Sequence, residues 1–130
     1  MMRRMKWLFA AVALVAFSGA ASADPKLIEI ASFGEHPALN EVAQGFKTRM
    51  AELGYADGKD VRYEFRHANF DRTLVPQLLQ QVEAQHPAMI FAITTGLNQA
   101  AVRGITDKSI PIVFGAVVDP VVAGIVPNWQ

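Results

Sequence analysis

Four short apolar runs alternate with three longer stretches of helical period. Lys26 to Phe33 (KLIEIASF), bounded by Pro25 and Gly34, reads as a first strand. The stretch that follows, HPALNEVAQGFKTRMAELGY, places Leu39, Val42, Ala43, Phe46, Met50 and Leu53 on one face of a helix. Pro37 suits the first turn, where its missing N–H is no loss, and Gly54 suits a left-handed end. After the turn Ala56 to Asp60, the run Val61 to Phe65 alternates apolar with charged residues. That is the pattern of a strand at or near a sheet edge. Pro76 constrains the second helix. With Asp71 as N-cap the proline would fall past the first turn and break a hydrogen bond, so Thr73 is the expected cap. The helix then runs from about Leu74 to Gln85 and buries Leu74, Leu78, Leu79 and Val82. Ala88 to Thr94 is almost unbroken apolar sequence, as an inner parallel strand requires. GLNQAAVRGI gives a third helix, with small Ala100 and Ala101 for close packing, and PIVFGA, opened by Pro111, a fourth strand.

The order βαβαβαβ with short connections implies an α/β fold: a doubly wound parallel sheet with helices on both faces and right-handed crossovers. Ligands of such sheets bind beyond the carboxyl ends of the strands. Four loops leave those ends, SFGEHPAL, HANFD, TTGLN and VVDP, and the polar residues concentrate in them. Each also has a purely structural reading. Glu35 and His36 could cap the first helix, Asn69 and Asp71 could be turn residues, Thr94 and Thr95 could cap the third helix, and Asp119 before Pro120 could only turn the chain. Two hydroxyls at a helix N-terminus with free N–H groups also suit a carboxylate.

Composition narrows this further. The 130 residues are 52% apolar with no net formal charge, which fits one small globular domain and gives no sign of a nucleic-acid partner. The first 23 residues stand apart. A basic MMRRMK precedes the apolar WLFAAVALVAF, and Ala21-Ser22-Ala23 is a small-x-small cleavage site. This is the pattern of a secretory signal peptide; the apolar run is too short to span a bilayer. The expected division is a signal peptide over 1–23 and an α/β lobe over 24–130, placed in the periplasm or outside the cell. Without the signal, nine basic residues face twelve acidic ones. There is no cysteine to form a disulfide or carry a lipid. His36, His67 and His86 lack metal-ligand spacing, so no metal is expected. No dinucleotide fingerprint, P-loop or nucleophile elbow occurs, so neither a cofactor nor an enzymatic activity is expected.

Several motifs carry a resemblance. They are His36-Pro37-Ala38-Leu39-Asn40, Gly45-Phe46, Leu53-Gly54-Tyr55, Gly58, Asp60-Val61, Ala68, Asp71, Thr94-Thr95, Pro111 to Phe114 and Asp119-Pro120. In this order the chain resembles, from about residue 27 to 126, the substrate-binding proteins of ABC uptake systems, in the group associated with tryptophan, tyrosine or related solutes. His67 stands where that family often has Asn, and Asn69-Phe70 replaces a more typical Gln-Gly, so the second rim loop departs from the pattern. The resemblance implies the N-terminal lobe of a type I periplasmic binding protein fold, with the second lobe absent from this chain. It implies a small solute, such as an aromatic amino acid, held between two lobes and delivered to an ABC permease. By the same resemblance Glu35, His36 and the Pro37-Ala38 backbone form one wall; Asn69, in the departing second rim loop, is a further ligand-binding candidate. Thr94 and Thr95 take a ligand carboxylate, and Asp119 faces an ammonium group. Two other readings remain open at this point: an exported single-lobe module for signalling or partner binding, and an exported enzyme of unrecognised chemistry.

Overall fold

The computed structural model describes residues 23–129. The expected signal peptide, apart from Ala23, lies outside the described residues. The elements are β1 (Lys26–Ser32), α1 (Pro37–Glu52), β2 (Val61–His67), a 3-10 turn (Arg72–Leu74), α2 (Val75–Glu83), β3 (Met89–Ile93), α3 (Thr95–Gly104) and β4 (Ile112–Gly115). All strand pairs are parallel, in the order β2-β1-β3-β4.

Strand period sorts the core into two layers. In register, Ile30 lies beside Phe91 and Ala31 beside Ala92. Successive side chains point to opposite faces. Ile30, Phe91 and Ile93 therefore meet α1 through Ala43, Leu39, Val42 and Phe46. Ala31, Ile90 and Ala92 meet α2 and α3 through Leu78, Val82, Leu97 and Ala101. Small alanines on the second face let two helices approach closely. On the first face the Phe46 and Phe91 rings stack with centroids 4.1 Å apart. A Cβ at Gly115 would come within 2.6 Å of the Phe91 ring, so β4 ends on glycine for packing reasons.

One charge sits inside this frame. Glu29 of β1 is fully buried and pairs with Arg66 of β2 at 3.1 Å. Burial pushes its carboxyl above the ordinary glutamate range, and the Arg66 hydrogen bond and charge only partly offset that.

The second helix starts differently from the sequence expectation. Thr73 does not cap it: Leu74 stands at the α-helical N-cap with no side-chain bond, and Asp71 caps a 3-10 turn before it, its Oδ1 accepting from the Thr73 N–H at 2.8 Å and from the Thr73 hydroxyl at 2.6 Å. These bonds hold the carboxyl below the usual aspartate range, the hydroxyl first. The cap closes a 3-10 turn, and the α-helix begins only at Val75, which puts Pro76 in its first turn. The tighter turn rotates Leu74 out to 41% exposure and brings Val75 into the core in its place. Leu53 is likewise exposed, because α1 has ended before it. β2 is an edge strand and runs two residues further, to His67, although its burial stops alternating at Phe65, which is exposed.

Candidate functional site

The strand order reverses between β1 and β3: the chain steps outward to β2, then crosses back over β1 to β3. The crevice beyond the carboxyl ends of β1 and β3 is thus the topological switch point, where doubly wound sheets bind ligands. The loops after β1 and β3 form its sides.

The loop after β1 is bolted to the loop after β2. Ala68 N–H donates to the Ser32 carbonyl at 3.3 Å and Phe70 N–H to the Phe33 carbonyl at 2.9 Å. Asn69 and Phe70 both take left-handed backbone, φ 51° and 61°. This folds the Phe70 ring over Gly34, where a Cβ would lie 2.4 Å from it, and edge-on to Phe33 at 5.8 Å between centroids. Most polar groups here serve the chain itself. His36 is the N-cap of α1, its Nδ1 accepting from Ala38 N–H at 3.2 Å. Pro37 and Ala38 follow as its exposed first turn. The His67 Nδ1 accepts from Asn69 N–H at 3.1 Å, which leaves the proton of a neutral ring on Nε2. That nitrogen faces the exposed Glu35 carboxylate at 3.9 Å.

The loop after β3 is built otherwise. Thr94 has φ 87° and ψ 148°, a region that costs a non-glycine residue about 1–3 kcal/mol. Its backbone is held from both sides. Its N–H donates to the Gly115 carbonyl at 3.0 Å, and its carbonyl accepts from Asn98 N–H at 3.1 Å and from Asn98 Nδ2 at 2.8 Å. The fully buried Asn98 also donates to the Ala92 carbonyl at 2.8 Å, tying the end of β3 to α3. Its Oδ1 has no partner among the described residues. Neither the Thr94 nor the Thr95 hydroxyl has a hydrogen-bond partner among the described residues. Both therefore stand free beside the amino end of α3.

Asp119 lies past β4. Its Oδ1 accepts from the N–H groups of Val121 and Val122 at 3.0 and 2.9 Å, so one carboxylate oxygen caps the turn that follows. That turn reaches back to α3 through Gln99 Nε2, which donates to the Ala123 carbonyl at 2.9 Å.

All the sequence-derived candidates thus follow the carboxyl ends of parallel strands, but they do not share one hollow. Glu35 lines a cavity of about 190 Å³ on the α1 side, with Phe65 and Lys47. Thr94 lines a larger one, about 460 Å³, on the α2–α3 side. Its other walls are Phe33, then Arg72 and Val75 at the start of α2, and Gly96, Gln99, Ala100 and Arg103 along α3. Sequence reading missed Phe33, Arg72, Gln99 and Arg103. The signal available was the i, i+3, i+4, i+7 spacing of Gly96, Gln99, Ala100 and Arg103, a stripe of α3 that its core residues Leu97, Asn98 and Ala101 do not use.

Comparison with known proteins agrees with this frame. The family described as ABC transporter substrate binding protein matches residues 27–130. A tyrosine-binding protein of Clostridioides difficile is 34% identical over 105 residues, covering 81% of this chain and 30% of the relative. The ligand-free, open structure of a substrate-binding protein with adhesive properties from Clostridium difficile superposes with TM-score 0.72 at 34% identity, covering 81% of this chain and 35% of that one. A Streptococcus pneumoniae ABC domain in complex with L-Trp gives TM-score 0.71 at 26% identity, covering 80% of this chain and 34% of that one. The chain therefore spans about a third of the length of the proteins it matches. The matched stretch takes in all of the sheet but Lys26, and every rim loop, and on that ground the chain belongs to the ABC transporter substrate-binding protein family.

Proposed function

We propose that residues 24–130 form one jaw of a solute clamp serving an ABC importer outside the cytoplasm, exported by a signal peptide over 1–23 and without catalytic activity of its own. The ligand is an amino acid with an aromatic side chain. Its carboxylate lies at the amino end of α3, against the hydroxyls of Thr94 and Thr95. Charge-assisted hydrogen bonds of this kind are the stronger sort and fix orientation. Glu35, His36, the Pro37-Ala38 backbone and Asn69 flank it from the other side of the crevice. The Asp119 oxygen not engaged in capping meets the ammonium group. Closure of a second lobe about a hinge buries the ligand, which then passes to a membrane permease.

One observation carries this reading. At the switch point a strained threonine presents a free hydroxyl beside a helix N-terminus, with a second free hydroxyl next to it. Strain held in place by the surroundings points to function. The relatives named for tyrosine binding and solved with L-Trp support the ligand class.

A single jaw lacks the facing contacts. On this reading the second lobe supplies two or three charged hydrogen bonds, each worth about 1.5–3 kcal/mol. Residues 24–130 should therefore bind L-tyrosine or L-tryptophan more weakly than micromolar. A thermal-shift series at millimolar ligand tests the carboxylate assignment. L-tyrosine and L-tryptophan should raise the midpoint, and their α-carboxamides should not. Equal effects from acid and amide, or none from either, would contradict it.

A further inference from the structure

The larger cavity holds a feature that the amino-acid reading does not use: two arginines without partners. Arg72, in the 3-10 turn before α2, and Arg103, in the last turn of α3, both line it. Neither guanidinium has a hydrogen bond or ion pair among the described residues. The neighbouring Asp71 forms no ion pair with Arg72; its Oδ1 is engaged by Thr73. The hollow is a groove along one stripe of α3. From Gly96 to Arg103 it extends roughly 10 Å at the helical rise. Phe33, Val75 and Ala100 give it an apolar wall. Its volume of about 460 Å³ is that of a small-molecule site.

A guanidinium presents a planar fork of donors matched to a carboxylate or phosphate. Two unpaired forks over an apolar wall suit one kind of guest. We propose that this groove is an anion subsite, which takes the negatively charged end of a small solute whose apolar body lies against Phe33 and Val75. It lies on the α2–α3 side of the crevice, reaches it at Thr94, and stands on the cavity rather than on the amino-acid assignment.

The probes are 4-hydroxyphenylacetate, its neutral amide and inorganic phosphate, titrated into the isotope-labelled protein while the arginine Nε–H resonances are followed by NMR. The aromatic acid should move the Arg72 and Arg103 resonances to saturation, and the amide should not. Arg72→Gln and Arg103→Gln should each weaken the acid by roughly tenfold, and Arg→Lys at either site should fall between, since charge is kept and the fork is lost. Inorganic phosphate should bind more weakly than the aromatic acid. Both arginines are exposed, so the circular dichroism of the variants should match the parent. Should a Gln variant misfold, the Lys pair and the acid-against-amide contrast in the parent carry the test. Unmoved arginine resonances, equal binding of acid and amide, or undiminished binding by the double variant would overturn the subsite. Phosphate binding as tightly as the aromatic acid would overturn the role of the apolar wall. In the double Gln variant the L-tyrosine shifts at Thr94 and Thr95 should persist, so the subsite and the carboxylate assignment fail separately.

Discussion

The two sides of the crevice are made of the same residue types and use them in opposite ways. On the β1–β2 side the polar atoms close the chain on itself: His36 caps α1, His67 holds Asn69 N–H, and Asp71 closes a 3-10 turn. On the β3 side the hydroxyls of Thr94 and Thr95 have no partner among the described residues, and the structural work falls to Asn98 underneath. A polar residue in a rim loop is thus a poor guide to binding until its local partners are counted. One side is a wall braced by its own side chains; the other offers free donors on a strained backbone with a buried brace.

Removing the brace should have the largest effect. Asn98→Ala removes the side-chain donor from the buried Ala92 carbonyl and from the Thr94 carbonyl, which keeps the Asn98 N–H. It should cost about 1–3 kcal/mol in urea unfolding, the penalty for one buried group left unsatisfied. No loss would mean that Thr94 keeps its conformation unaided.

Removing the free donors comes next. Thr94→Val with Thr95→Val should leave the unfolding midpoint nearly unchanged and weaken L-tyrosine by about 10-fold or more, since each lost charged bond is worth about 1.5–3 kcal/mol. Thr94→Gly separates strain from chemistry. Glycine accepts φ 87° at no steric cost. The variant should be more stable by up to about 1 kcal/mol, once its greater unfolded-state freedom is set against the 1–3 kcal/mol of strain, and should bind less well.

On the braced side, Gly34→Ala places a Cβ 2.4 Å from the Phe70 ring. The ring must swing away and lose its edge-on contact with Phe33, for about 0.5–1.5 kcal/mol of stability. Binding at Thr94 should hardly change.

The smallest effect is electrostatic. Glu29 binds its proton more tightly folded than unfolded, because burial raises its carboxyl. Its contribution is present below the ordinary glutamate value and is lost as pH rises through the raised one. The parent should lose stability across that interval, and Glu29→Gln should flatten the slope there. Asp71, Glu83 and Asp107, whose carboxyls are depressed by hydrogen bonds, act with the opposite sign and at lower pH.

The sheet was legible in the sequence because its signals are local. Apolar runs marked β1, β3 and β4, alternation marked β2, and Pro37 and Gly54 bounded α1. The start of α2 was not, since a 3-10 turn and an α-helical turn present nearly the same residues; only the Asp71 cap distinguishes them, and Leu74 and Val75 exchanged places as a result. The rim was legible as a set of loops, because parallel topology sends every strand's end to one edge. Which rim groups are free was not legible, as it depends on bonds such as His67 to Asn69 and Asn98 to Thr94. Nor was the groove of Phe33, Arg72 and Arg103, which assembles from three separate elements.

The central claim is that the amino end of α3 receives the ligand's carboxylate. Backbone amide mapping by NMR during titration with L-tyrosine tests it most directly. The account predicts shifts concentrated at Thr94 to Gly96, smaller ones at Gly34 to His36, and little at the far end of the sheet around Lys26 and Met89. Shifts that spare Thr94 to Gly96, or that cluster at the opposite end of the strands, would contradict it.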